Sequence, residues 1–360
     1  MKTFYITVFF LLNFLAANAQ NVNIEQAKKL SENWATAHGL NPGIEDVIPK
    51  KFDGMTLLYI VNFKSAWVMI SADHALKPVL GFSFDSPYPM GGDPQGLQSL
   101  FAFYDFAKRE NKGGKIDFSK EWESLESGHL KTANSANEVE PLITARWGQA
   151  WPFNAYCPLD NDPDLPDSYN GHHNTSCGPT AFAQVLSYWK YPVRGVGYHS
   201  YTYEKYGLVE ADFGSTVYNW DNMPLTLKFS DPESKYTDVA TLMLHAGVSA
   251  DESIGSGGTL SNYSSAAVKY FNYSPDCEVF YRNDFTRSQW HNIFRKELNN
   301  GRPIMMSGCS AGSAEPWEYG PHYGPYFVCD GYYGEDFYHI NWGWKGSGNG
   351  YFPLYSLGDY

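Results

Sequence analysis

Cys177 stands in the run Thr175-Ser-Cys-Gly-Pro-Thr180. After it, Phe182, Val185, Leu186 and Trp189 recur at i, i+3, i+4 and i+7, the spacing of one apolar helix face. Thr175 and Ser176 are residue types that cap helices, and Pro179 suits a first turn. Tyr191-Pro192 closes the run, because proline disfavours helical geometry in the residue before it. A thiol at such a helix start meets free N–H groups and the positive end of the helix dipole, which stabilise a thiolate. The bland reading of the same residue is a small buried hydrophobe.

A thiolate nucleophile needs a proton partner and donors for the oxyanion that develops. Gln149, in the turn Trp147-Gly-Gln-Ala-Trp151, is a side chain that can point an N–H at an oxyanion beside the Cys177 N–H. His322 lies 145 residues after Cys177 (322 − 177), a spacing that falls within the roughly 130–150 residues of papain-type enzymes. It stands in the loop Tyr319-Gly-Pro-His-Tyr-Gly-Pro325. On a strand over Phe337–Trp342, His339 and Asn341 share one face and Trp342 takes the other, so Asn341 or Trp342 can orient or cover an imidazole. His172-His173 sit in a polar loop and His245 within a run of Leu and Met. No second Cys or His lies at zinc-ligand spacing from them, so no metal is expected. Gly255-Ser-Gly-Gly-Thr259 lacks the Gly-Lys-Ser/Thr ending of a phosphate loop, and no cofactor is expected.

The elements around these residues divide the chain. Residues 1–19 read as a signal peptide: Lys2, an apolar run from Phe4 to Ala17, then Ala17-Asn-Ala19. In residues 20–107 the pattern gives a helix through Ile24, Ala27, Leu30 and Trp34, and strands over Thr56–Phe63, Ala66–Ala72 and Pro78–Phe84. A second helix runs through Leu97, Phe101, Tyr104 and Ala107. Residues 108–140 turn to Lys, Glu, Ser, Asn and Gly, the composition of a linker open to proteolysis, with a short helix near Trp122–Leu125. From 141 to 360 the pattern gives the Cys177 helix, helices over Thr237–Gly247 and Trp290–Asn299, and strands over Pro303–Ser307, Tyr326–Cys329 and Phe337–Trp342. The fold class is α+β.

Charge and cysteine content narrow the function. A net charge of −13 argues against nucleic acid as a partner. No later run is long enough to cross a bilayer, so the mature protein is expected to be secreted, periplasmic or on the cell surface, with no stable membrane anchor. Five cysteines leave at least one thiol unpaired within the chain and are too sparse for a disulfide framework.

Several motifs in order resemble the streptopain-like cysteine peptidases. Ala66-Trp-Val-Met-Ile-Ser-Ala-Asp73 with Pro78-Val-Leu-Gly-Phe-Ser83 resembles the family's inhibitory propeptide. Trp147-Gly-Gln-Ala-Trp-Pro-Phe-Asn154, the Cys177 helix and Thr216-Val-Tyr-Asn-Trp-Asp-Asn-Met-Pro224 follow. So do Gly301-Arg-Pro-Ile304, Phe327-Val-Cys-Asp-Gly331 and Tyr338-His-Ile-Asn-Trp-Gly-Trp344. The resemblance implies a small α+β propeptide domain, a linker cut on maturation and a two-lobed papain-like domain. The substrate would be a peptide or protein, and the propeptide an intramolecular inhibitor. It places the nucleophile at Cys177, the oxyanion-hole amide at Gln149 and a supporting ring at Trp342. Two stretches depart from it. Ser-Cys-Gly-Pro stands where the family has Gly-Cys-Val-Ala. The family's catalytic His, in Gly-His-Ala-Phe-Val-x-Asp-Gly, falls on Pro325, which accepts no proton. His322 replaces that base if Gly324-Pro325-Tyr326 is a bulge; without one, three strand residues is about 10 Å, beyond hydrogen-bond reach. The alternative is a pseudopeptidase that binds peptide or protein without cutting.

Overall fold

The computed structural model describes residues 21–89, 91–130, 137–252, 260–308 and 324–353. The expected signal peptide lies outside them. The N-terminal part runs α1 (Ile24–Ala37), β1 (Ile44–Phe52), β2 (Met55–Phe63), β3 (Trp67–Ser71), β4 (Val79–Ser83), α2 (Gln95–Glu110) and α3 (Ser119–Glu126). α1 begins with a capping box in which Asn23 and Gln26 exchange side-chain and backbone bonds. The strands expected over Thr56–Phe63 and Ala66–Ala72 pair antiparallel as β2–β3, a hairpin that turns at Lys64-Ser65. β1 has no apolar alternation and carries Glu45, Asp46, Lys50, Lys51 and Pro49, which is the chemistry of an edge strand and hides it from a periodicity reading.

The C-terminal part runs β5 (Glu138–Val139), α4 (Cys177–Trp189), β6 (Tyr198–Tyr203), β7 (Gly207–Asp212), α5 (Glu233–Ser249), α6 (Leu260–Phe271) and α7 (Arg287–Asn299). Strands β8 (Ile304–Ser307), β9 (Tyr326–Tyr333), β10 (Phe337–Asn341) and β11 (Gly350–Pro353) complete it. It has two lobes. In one, α4, α5 and α6 pack with β7 around Trp147, Phe182, Leu186, Met243 and Phe271. The other is the sheet β11-β10-β9 with β8 and β5 against β9. The β6–β7 hairpin lies in the Gly- and Tyr-rich stretch after Pro192, which in sequence reads only as turns.

The N-terminal strands do not form a separate sheet. The strand order β1-β2-β3-β4-β11-β10-β9-β5 makes one antiparallel sheet of nine strands, counting β8 on β9, with Tyr351 opposite Phe82 at the β4–β11 joint. The joint is close enough to require glycine. A Cβ on Gly350 would lie 2.5 Å from the Phe82 carbonyl oxygen, and one on Gly81 would lie 2.7 Å from the Phe352 ring. Trp67, Leu80, Leu97, Phe101 and Tyr104 share one core with Phe327, Tyr338, Trp342 and Phe352.

The stretch read as a linker carries more structure than its composition suggests. α2 continues to Glu110, and Trp122 of α3 donates from its indole N–H to the Leu76 carbonyl at 2.9 Å. Asn33 of α1 donates to the Leu125 and Glu126 carbonyls, each at 3.0 Å. A few buried rings and side-chain caps hold a segment whose other residues face water. Among the described residues no helix is long and apolar enough to cross a membrane.

α2 meets the C-terminal part at Gly96, where a Cβ would lie 2.5 Å from the Trp342 ring. Gly96→Leu is expected to push α2 off Trp342 at about 1–3 kcal/mol, the usual cost of overpacking. Limited proteolysis of the full chain should then remove the N-terminal part faster. An unchanged rate would mean that this contact does not hold the two parts together.

Candidate active site

The first two turns of α4, from Gly178 to Gln184, are buried. The apolar face runs as expected through Phe182 and Leu186 but stops there, with Trp189 42% exposed. Asn341 fixes this helix to β10. Its Nδ2 donates to Gln184 Oε1 at 3.0 Å and to the Ala145 carbonyl at 3.2 Å, and its Oδ1 accepts from Gly343 N–H at 3.1 Å. Asn341 thus spends its amide on holding α4. No imidazole among the described residues takes a bond from it.

The helix start differs from the expected cap. Ser176 adopts φ 68° and ψ 163°, a region almost confined to glycine. Its side chain caps nothing and instead donates to Glu252 Oε1 at 2.6 Å. Thr175 Oγ1 pairs with Thr180 Oγ1 at 2.8 Å. The sequence alone does not single out Glu252. It follows α5 in a polar stretch, and only the fold brings it to α4.

Cys177 is half-buried, and Tyr326 N–H donates to its sulfur at 3.3 Å. Burial pushes the thiol up. The Tyr326 N–H opposes this, and the Glu252 charge adds to it. Desolvation of the half-buried sulfur thus works against the thiolate that the helix start favours.

Strand β8 pairs with β9 in unbroken register, from Ile304 opposite Cys329 to Ser307 opposite Tyr326, and Gly308 N–H donates to the Pro325 carbonyl at 3.0 Å. Tyr326 is thus the first residue of β9, and Gly324 and Pro325 lead into it. His322 itself lies outside the described residues. Pro325 shares its strand face with Phe327, whose ring sits 5.0 Å from that of Trp342. Trp342 is buried, donates from its indole N–H to the Gly348 carbonyl at 3.0 Å, and is covered by Gly96 of α2.

Gln149 is brought to the same place through its backbone: its carbonyl accepts from Thr175 N–H at 2.9 Å, two residues before Cys177. Lys345 braces this loop, donating from its backbone to the Trp147 carbonyl at 2.8 Å and from Nζ to the Trp151 carbonyl at 2.9 Å. His172, His173, His245 and His339 each use Nδ1 in a hydrogen bond. His339 Nδ1 pairs with Asp330 Oδ1 at 2.6 Å, and Asp330 Oδ2 accepts from Ile143 N–H at 2.9 Å. His245 meets the Tyr218 hydroxyl at 2.9 Å, and burial brings it down to about 4. His172 and His173 bond the Cys157 and Asn174 carbonyls. Among the described residues no group of three His, Cys, Asp or Glu is placed to hold a metal ion. Cys157, Cys177, Cys277 and Cys329 are free thiols, and Cys309 lies outside the described residues.

Known proteins resemble this chain in sequence and fold. Residues 147–352 match the Peptidase C10 family. Streptopain of Streptococcus pyogenes is 26% identical over 318 residues, which span 83% of this chain and 74% of streptopain. The thiol protease/hemagglutinin of Porphyromonas gingivalis is 26% identical over 306 residues; the match covers 81% of this chain but only 33% of that protein. Among solved structures, prointerpain A of Prevotella intermedia superposes with a TM-score of 0.66 at 27% identity, covering 87% of this chain and 92% of its own. Active interpain A from the same organism gives 0.53 at 34% identity, covering 62% and 91%. The longer match is to the proform. The α+β chain belongs to the Peptidase C10 family, the streptopain-like cysteine peptidases.

Proposed function

We propose that the chain is the exported zymogen of a cysteine endopeptidase in which Cys177 attacks the scissile carbonyl. The observation that carries this is the placement of the sulfur. It sits at the start of a buried helix, with the Gln149 segment bonded two residues before it and the Tyr326 N–H against it. In this reading the Cys177 N–H and Gln149 side chain hold the oxyanion, His322 takes the proton and Trp342 shields the site. Residues 20–107 inhibit through the shared sheet and through α2 on Trp342. The maturation cut falls within 108–140, between α3 and β5. The substrates are peptides or proteins.

The full chain should process itself in that segment, and Cys177→Ala should abolish both the processing and labelling by a thiol-reactive peptide probe. Equal processing of the two proteins, with neither labelled, would sink the reading. A specific observation favours a second one, a peptide-binding pseudopeptidase: Pro325, on which the resemblance puts the family's base, directly precedes the Tyr326 N–H that bonds the sulfur, and burial pushes the thiol up. It predicts peptide binding by the processed chain with no cleavage and no label.

A further inference from the structure

Ser176 is the joint between the two sides of the oxyanion site. Before it, Thr175 N–H donates to the Gln149 carbonyl at 2.9 Å; after it, Cys177 opens α4. Its φ of 68° sets how the Gln149 segment lies against the helix, and its ψ of 163° sets the plane of the peptide that carries the Cys177 N–H. The carbonyl of that peptide accepts from Thr180 Oγ1 at 2.8 Å, and in a planar trans peptide the Cys177 N–H then points the other way. Both oxyanion donors of the reading above are therefore aimed from one residue.

That residue stands in a backbone region that side chains rarely adopt. Its side chain takes no part in capping α4. Its N–H donates to Asn174 Oδ1 at 3.1 Å, and its Oγ donates to Glu252 Oε1 at 2.6 Å. Glu252 is 2% exposed and is itself fixed from three elements. The Tyr263 hydroxyl of α6 donates to Oε2, and the Tyr201 hydroxyl of β6 donates to the Glu252 carbonyl at 2.7 Å. Glu252 N–H donates to the carbonyl of Gly247 in α5 at 3.2 Å. Asn262 of α6 ties the same turn down, donating to the Ala250 carbonyl at 2.8 Å. Residue 178 leaves room for the carboxyl, because a Cβ there would lie 2.6 Å from Glu252 Oε2. An aliphatic side chain would fill this space without the cost of burying a carboxyl. What the carboxyl adds is a rigidly held acceptor for Ser176.

We propose that Glu252 is a positioning residue of the oxyanion site. By holding the Ser176 hydroxyl it keeps Ser176 at its positive φ, and so keeps the Cys177 N–H and the Gln149 segment aimed at one point. The proposal rests on the peptidase reading for what the site does to a peptide, but not for how the site treats an oxyanion formed on Cys177.

The test compares two reactions of Cys177 in the full chain, each corrected for the other thiols with C177A. Acetylation by p-nitrophenyl acetate passes through an oxyanion, and alkylation by iodoacetamide does not. Their ratio cancels a change in the thiolate fraction. E252L keeps the bulk and removes the acceptor, and should lower the ratio by about 10²-fold, the lower end for losing an oxyanion donor. Glycine needs no tether at positive φ, so adding E252L to S176G should leave the ratio close to that of S176G alone. S176A keeps the strained φ without the hydroxyl and should fall as E252L does, well below S176G. That pair decides the matter if E252L does not fold. A merely structural role would move alkylation together with acetylation, and S176A together with S176G. Either pattern overturns the proposal, as does an equal loss from E252L with and without S176G, or a wild-type Cys177 that takes no acetyl group. Peptide hydrolysis by the processed chain is measured beside these. Absent hydrolysis with the expected ratios would sink the peptidase reading and leave the role of Glu252 standing.

Discussion

Pro325→His is expected to raise peptide hydrolysis by about 10²- to 10⁴-fold, the contribution of a positioned acid–base side chain. Tyr326 N–H lies 3.3 Å from the Cys177 sulfur, so the residue whose carbonyl carbon is bonded to that nitrogen borders the nucleophile. Position 325 shares its strand face with Phe327, which packs on Trp342. An imidazole there enters beside a ring able to cover it. The Gly308 N–H to Pro325 carbonyl bond does not depend on the proline ring, so the strand register should survive the change. A protonated imidazole next to the sulfur would also oppose the burial that now pushes the thiol up. Two measurements check this: peptide hydrolysis of the processed chain, and the pH at which Cys177 becomes reactive to iodoacetamide. Faster hydrolysis and reactivity at lower pH are expected together. If neither moves, residue 325 does not address the sulfur.

The main parts of the site are legible in sequence where the signal is local. The α4 pattern places Cys177 at a helix start, and the short apolar runs place β9 and β10. Local patterns fail where a residue takes its role from several distant segments. Glu252 reads as one more acid after a helix, and it becomes notable only when Ser176, Tyr201 and Tyr263 close around it. Ser176 reads as a cap because serines usually cap, whereas its backbone angle turns the hydroxyl away from the helix. Asn341 reads as an imidazole partner because it neighbours His339 and Trp342, whereas its amide is taken by Gln184 and Ala145. The β4–β11 joint is not visible either, since pairing between strands far apart in the chain leaves no periodic mark on either one.

Wild-type stability is expected to fall with rising pH relative to E252Q. The Glu252 carboxyl is raised from 4.5 to about 8 by burial, against the Ser176 hydrogen bond. A group raised on folding contributes stability that is full below its unfolded value and is lost as pH climbs through its folded one. At about 1.36 kcal/mol per pH unit, the difference between wild type and E252Q should change by about 5 kcal/mol across that interval and be flat above it. His245, brought down from 6.5 to about 4, acts in the opposite direction at lower pH, because the folded state keeps it neutral where the unfolded state takes up a proton. Subtracting E252Q removes that contribution, since both proteins carry it. Glutamine stays neutral throughout and keeps an acceptor for Ser176 or Tyr263, so it imitates the protonated acid. Over the last pH unit below about 8, the histidine has largely finished titrating and the raised thiols have not begun. A fall of about 1 kcal/mol should therefore survive there even in the wild-type curve read alone. Denaturant unfolding at a series of pH values gives both curves. Parallel curves for the two proteins would mean that Glu252 is ionised at neutral pH.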